Sequence, residues 1–320
     1  MKILIQNIRY YDTVSKQTYE HVEIKNGKIS KYLNSEEPVI ISDYDKIIDG
    51  KDKFMIPAFY NTILYDLPRE KEVNPELNEE GKITSLIRNG IVGFLNLGYL
   101  DAELIRQKKL MDVFSIYDIE KIDLENICLE SIFIKHDKPH VVINYDSKKI
   151  KHLIEHKVIN KKDIVLLDRE ITYEDIEMLN ELGCWILITP VYAALKGEKI
   201  GITDFDIRRV LVGTVNELNV LRNLRQLITN ERIIKKSPDS PKPTDVFCVS
   251  NTNYANFINE FFENENLGTN IILLSKNNLS LNPVKEDKYI SNLIHTGQVD
   301  AIDTVISKGH VLMENGVIVW

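Results

Sequence analysis

The most suggestive spacing in the chain is His152-Leu153-Ile154-Glu155-His156. On a helix, His152, Glu155 and His156 share one face, and two imidazoles beside a carboxylate can hold a zinc ion that activates water. The same segment carries an apolar stripe of Ile150, Leu153, Ile154 and Val158. That stripe must pack inward, which turns the histidine face to solvent and disfavours a zinc-protease centre. His136 and His140 stand four apart, a spacing that suits a metal only on a helix, and Lys138-Pro139 lies between them. Cys128, Cys184 and Cys248 are far apart and lack ligand spacing, so buried thiols in a reducing compartment account for them. There is no Gly-x-Ser-x-Gly elbow and no phosphate-binding glycine loop.

A second set of polar residues gains its interest from where the elements would put it. Asn61, Asn96, Asn144, Asp146, Asp168, Thr189 and Asn216 each fall near the C-terminal end of an expected strand. They could line a neutral-to-acidic pocket for a small molecule, or simply end strands and cap helices. The strands are the apolar runs 90–96, 140–144, 164–167, 185–188 and 209–213. Helical patterns lie between them at 82–89, 101–109, 147–156, 172–182 and 216–227, with Thr172 placed as a cap. This alternation implies a parallel sheet.

The two ends of the chain read differently. Residues 2–8, 22–33 and 39–48 have strand character, as do 271–275, 304–307 and 311–320. Asn26-Gly27, Lys308-Gly309 and Asn315-Gly316 mark hairpin turns. The expected fold is α/β: a small β-sandwich built from residues 1–55 and 270–320, flanking a shortened, distorted TIM-like (β/α)8 barrel over 56–269. Those 214 residues compare with about 250 for a typical barrel and about 200 at the low end. Ser237-Pro238-Asp239-Ser240-Pro241-Lys242-Pro243-Thr244 reads as an extended connector leading out of the barrel.

Composition narrows the function classes. The net charge is −8, with acidic and basic residues mixed along the chain, so no nucleic-acid footprint is present. Apolar residues make up 43% and charged residues 28%, as in ordinary globular proteins. No apolar run reaches membrane-spanning length, and residues 1–7 turn polar too soon for a signal peptide. A cytoplasmic protein without membrane contact is expected.

The stretch Asp49-Gly50-Lys51-Asp52-Lys53-Phe54-Met55-Ile56-Pro57-Ala58-Phe59-Tyr60-Asn61-Thr62-Ile63-Leu64-Tyr65 organises the chain. It resembles the first barrel strand of the amidohydrolase superfamily, in the branch of the chlorohydrolases and the adenosine-, methylthioadenosine- and S-adenosylhomocysteine-type deaminases. That strand runs roughly Asp-x-x-Gly-Lys-x-x-x-Pro-Gly-Phe-x-Asn-Thr-His-x-His. Leu281-Asn282-Pro283-Val284, Ser291-Asn292-Leu293-Ile294 and Asp303 to Val311 are similar to the close of the same family. The resemblance implies a barrel-mouth zinc or iron that makes hydroxide for attack on a C–N carbon.

The positions that the family gives to its ligands are altered. The paired histidines fall on Ile63 and Tyr65. The next falls near Asn144, its acid near Ser147, with Asp146 close by. The fourth falls on Leu167 or Asp168, and the closing Gly-Thr-Asp reads Gly213-Thr214-Val215. The expectation is therefore a degenerate member with no metal and no cofactor. It would act by binding a small molecule, as a homodimer, or in complex with an active amidohydrolase. The alternative is an active C–N hydrolase or deaminase with an unconventional acid–base site at Tyr65, Asp66, Asp146 and Asp168.

Overall fold

The computed structural model describes the chain except residues 9, 13–16, 35–36, 65–78, 97–110, 116, 119–139, 143–150, 152–153, 156–158, 168, 216, 263–267, 284–287 and 320. The N-terminal strands are β1 (Lys2–Gln6), β2 (Tyr10–Asp12), β3 (Gln17–Tyr19), β4 (His21–Lys25), β5 (Lys28–Leu33), β6 (Lys46–Asp49) and β7 (Lys53–Pro57). Next come β8 (Phe59–Leu64), β9 (Ile91–Asn96), β10 (Asp112–Ser115), β11 (Tyr117–Asp118), β12 (His140–Val142), β13 (Ile164–Leu167), β14 (Trp185–Ile188) and β15 (Val210–Val215). The chain closes with β16 (Ile271–Ser275), β17 (Ile302–Ser307), β18 (His310–Glu314) and β19 (Val317–Ile318).

These strands make a four-stranded sheet, β5-β4-β1-β6, a five-stranded sheet, β19-β18-β17-β16-β7, and an eight-stranded sheet, β10-β9-β8-β15-β14-β13-β12-β11. Every pairing in the eight-stranded sheet is parallel. The alternation read from the sequence thus gives the parallel sheet it predicts. Among the described residues β10 and β11 stand at its two edges, with no ladder between them. The expected turns form as well: Asn26-Gly27, Lys308-Gly309 and Asn315-Gly316 all have both residues at positive φ, the two-residue hairpin geometry.

The stretch 49–65 is two strands rather than one. β7 pairs antiparallel with β16, and β8 begins the parallel sheet one residue later. Pro57 closes β7, a sheet-edge strand where a missing N–H is tolerated.

The helices are α1 (Glu79–Arg88), α2 (Tyr173–Leu182), α3 (Pro190–Leu195), α4 (Val220–Lys235), α5 (Pro243–Cys248), α6 (Thr252–Phe261) and α7 (Tyr289–His295). Thr172 and Asp175 form a reciprocal capping box on α2, and Gly183 ends it at φ 68. α4 starts later than the pattern suggests, because Asn219 caps it by accepting from the Arg222 amide. It also runs on to Lys235. Pro243 ends the expected connector early: it is the first residue of α5, where proline lacks no needed donor.

Two apolar cores divide the molecule. One joins Ile3, Ile5, Val22, Ile24 and Ile48 of the four-stranded sheet to Met55, Ile271, Leu273 and Ile306 of the five-stranded sheet. The other runs through the parallel sheet and its helices and takes in Ile272, Leu274 and Val305. β16 reads Ile-Ile-Leu-Leu because each of its faces is buried in a different core. α6 lies against the parallel sheet. Its Phe257 meets Trp185 of β14, and Phe257 meets Phe262, which meets Phe114 of β10. These strands stand four places apart in the sheet, so the sheet curls around the aromatic residues of this segment.

One polar contact ties the sheets together. Asp112 at the start of β10 is almost wholly buried, and the Lys308 ammonium from the β17–β18 turn pairs with it. Tyr60 Oη donates to Asp112 Oδ2 at 3.0 Å, and Asn270 Nδ2 donates to the same oxygen at 2.9 Å. The Lys308 amide donates to Asn270 Oδ1 at 3.1 Å. Removing the ammonium strands a buried carboxylate. Lys308→Met is expected to lower stability by about 3 kcal/mol in urea unfolding, and adding Asp112→Asn to recover most of it. A single variant within about 0.5 kcal/mol of the parent would refute the assignment.

Candidate functional site

In a parallel sheet all strands end at one edge, and that edge is where such folds place their sites. Residues paired across parallel strands point the same way, and neighbours along a strand point oppositely. The pairings Gly213 with Thr62 and Thr214 with Ile63 therefore sort the strand ends onto two faces. Thr62, Gly213, Leu187 and Thr189 share one. An added Cβ at Gly213 would stand 3.2 Å from Leu187 Cδ1, 3.3 Å from Thr189 Cγ2 and 3.1 Å from the Thr62 carbonyl. Glycine is what lets these strands close up there. Asn61 and Thr214 lie on the other face, where Asn61 Nδ2 donates to Thr214 Oγ1 at 2.7 Å.

Two polar atoms at these ends are buried and have no partner among the described residues: Asn61 Oδ1 and Thr189 Oγ1. Thr189 occupies the N-cap position of α3 but makes no side-chain cap, its ψ of 78° set beside Pro190. Buried polar groups are normally paired, and an exception marks a place to look for function.

Beneath the first face sits Tyr254 of α6. Its hydroxyl, fully buried, donates to the Val212 carbonyl at 2.5 Å. A phenol has one proton, so at the 2.7 Å contact with Thr62 Oγ1 it is the threonine that donates. The ring stacks on Tyr60 at 6.1 Å. Burial holds the Tyr254 phenol far above its ordinary range. Burial does the same to Tyr60, helped by the nearby Asp112 charge. Both phenols stay protonated, so they serve as donors and not as bases.

No protein-family model matches this sequence, and no curated protein matches it. Solved structures do. An adenosine deaminase from Xanthomonas campestris with bound zinc superposes with TM-score 0.68 at 12% identity, covering 99% of this chain and 94% of that chain. An atrazine chlorohydrolase from Arthrobacter aurescens TC1, complexed with zinc, gives 0.68 at 14% identity, covering 99% and 96%. A guanine deaminase from C. acetobutylicum, with guanine in its active site, gives 0.65 at 12% identity, covering 97% and 100%. The chain shares the fold of these two deaminases and this chlorohydrolase. At such identities the likeness is one of fold.

The expectation of a chain without cofactor is corrected by these neighbours. Two of them carry zinc in the same fold, so the absence of an ion is not a property this scaffold confers. Zinc takes imidazole, thiolate or carboxylate. The ends of β8, β14 and β15 offer hydroxyl, amide and apolar groups, and among the described residues no three His, Cys, Asp or Glu side chains gather to hold a metal. By themselves those ends do not fit zinc. Further donors would have to come from residues outside the described ones, where Asp66, Asp146 and Asp168 lie.

On this fold the residues singled out in the sequence are partly dispersed. Asn61 and Thr189 fall on opposite faces, so the structure does not bring them together. Leu167 is fully buried in the main core, and Val215 is half-buried at the end of β15. The backbones of Ile63 and Asn96 pair with each other. Tyr65, Asp66, Asn144, Asp146, Asp168 and Asn216 lie outside the described residues, as do His136, His152, His156 and Cys128. Glu155 is exposed, in keeping with a solvated face. Cys184 is buried and its thiol is pushed up to about 12, chiefly by desolvation and then by Asp163, so it is no nucleophile. No helix among the described residues is long and apolar enough to cross a membrane.

Sequence reasoning missed Tyr254, Asp112 and Asn270, none of which sits in a motif, and read Lys308 only as part of a hairpin turn. The buried phenols carry a pH signature. Their folded pKa values lie above the unfolded value near 10, so the unfolded chain loses these protons first. Stability is then complete below pH 10 and falls above it, by up to about 1.4 kcal/mol per pH unit per phenol. Tyr254→Phe should flatten the alkaline limb of a urea-midpoint profile between pH 9 and 11; an unchanged slope would count against the assignment.

Proposed function

We propose that this chain is an amidohydrolase-fold protein that has given up C–N bond hydrolysis and acts by binding, holding a small polar molecule at the strand ends or partnering an active amidohydrolase. In this reading residues 56–269 form one closed, shortened (β/α)8 barrel, and residues 1–55 with 270–320 form a composite β-sandwich. The strand order supports closure, because one further pairing, β10 with β11, would complete an eight-fold ring. The shared cluster of the four- and five-stranded sheets supports the sandwich. A homodimer in the cytoplasm belongs to the same proposal, and the free thiols of Cys184 and Cys248 are consistent with that compartment.

One observation carries the reading. Leu167, one of the two positions (with Asp168) on which the resemblance puts the fourth ligand, is sealed in the apolar core. Val215 and Ile63, at the ends of neighbouring strands, offer no ligand either. What remains at the ends of β8, β14 and β15 is neutral: Thr62 and Thr189 on one face, Asn61 and Thr214 on the other. Neutral donors and acceptors orient a polar heterocycle without attacking it.

A second reading is favoured by the neighbours themselves, which are two deaminases and a chlorohydrolase. In it the chain remains a hydrolase acting on heterocyclic C–N or related bonds, with Tyr65, Asp66, Asp146 and Asp168 supplying acid and base. A panel of adenosine, guanine and atrazine, tested with and without added Zn²⁺, separates the two. The binding reading expects calorimetric binding of at least one heterocycle with no release of ammonia or chloride. Turnover above background that Asp146→Asn or Asp168→Asn abolishes would establish the second reading and end the first.

A further inference from the structure

The Tyr254 hydroxyl sits at the meeting point of two strand ends that chain order keeps far apart. β8 carries Thr62, Ile63 and Leu64 to the candidate site, and β15 carries Gly213, Thr214 and Val215. Tyr254 donates to the carbonyl of Val212, the residue before Gly213, and accepts from the side chain of Thr62, the residue paired with Gly213. One hydroxyl thus pins both strands just beneath their last turn of backbone. The helix that carries it is itself held. Asn253 Nδ2 donates to the carbonyls of Ile207 and Val210 at 2.7 and 2.6 Å. The Tyr60 amide donates to the Ser250 carbonyl at 2.7 Å. Phe257 packs edge-on to Trp185 at 5.2 Å. The strut is rigid at its base and polar at its tip.

We infer that Tyr254 is a positioning residue: its hydroxyl sets the spacing and register of the β8 and β15 ends on which any ligand at the candidate site must rest. The affinity part of this inference rests on the binding reading above; the structural part does not. A single buried hydrogen bond of this kind is worth about ten-fold in a local equilibrium. Tyr254→Phe keeps the ring and removes only the tip. Thr62→Val removes the other side of the contact, and Thr62→Ser restores a hydroxyl.

Amide hydrogen exchange on the full chain reads the strut directly. Tyr254→Phe is expected to speed exchange at residues 61–64 and 211–215 by about ten-fold, with β13 and the five-stranded sheet unchanged. Thr62→Val should do likewise and Thr62→Ser should not. Unchanged exchange at those strand ends, or acceleration spread evenly over all sheets, would overturn the inference. Guanine serves as the probe for the second arm. If the parent binds it, Tyr254→Phe should weaken binding about ten-fold, and undiminished affinity would overturn the inference. If no heterocycle in the panel binds the parent, the binding reading fails while the exchange arm still decides the strut.

Discussion

Lys308 reaches a buried carboxylate through a gap walled by glycines. A Cβ on Gly27 would stand 2.8 Å from the Lys308 carbonyl oxygen, one on Gly268 would stand 2.9 Å from the Lys308 Cα, and one on Gly309 would stand 2.9 Å from the Gly27 backbone. Only residues without a Cβ let the two hairpin turns and the segment before β16 come this close. The closeness is then used electrostatically. A buried carboxylate in an apolar setting needs a cationic partner, and the turn delivers one to Asp112. Because Asp112 opens a strand of the parallel sheet and Lys308 sits in the five-stranded sheet, this contact fixes how the two sheets sit on each other. Everything built on the far edge of the parallel sheet inherits that fixed base.

The five-stranded sheet is the hinge of the architecture for a related reason. Its inner strand β16, next to the edge strand β7, is apolar on both faces, sending Ile271 and Leu273 to the N-terminal sheet and Ile272 and Leu274 to the parallel unit. A strand with one wet face would leave one of these contacts unmade. Both chain ends are needed to build this layer, since β7 comes from one and β16 to β19 from the other. That is why strand character at both ends of the sequence was so informative.

Much of the fold was legible because its signals are local. Asn-Gly and Lys-Gly turns, the Thr172 cap and the uniform apolar runs of parallel strands each act over a few residues. What escaped was long-range or masked by short-range logic. The break at Ala58 is invisible to periodicity, since strand simply follows strand. α5 was lost because three prolines read as an extended connector, although a proline at the first helical position starts a helix as readily as it stops one. The candidate site was less legible still. Tyr254 and Asp112 matter for what lies across from them, and a lone tyrosine or aspartate gives no hint of that. The sorting of Asn61 and Thr189 onto opposite faces depends on register between strands distant in sequence, which no motif records.

The same reasoning bears on what the strand ends can do. A water-activating site needs groups whose charge or proton affinity responds near neutral pH. The groups set beneath these ends are phenols held protonated by burial and hydroxyls that do not titrate. A fold can keep such a place rigid without keeping it reactive, because rigidity comes from the curled sheet and the helix seated in it, whereas reactivity comes from a few side chains at the rim. The zinc-bearing neighbours show that the scaffold is compatible with metal chemistry. At the ends of β8, β14 and β15 this chain sets neutral hydroxyls and an amide instead, held in register from below by the Tyr254 hydroxyl.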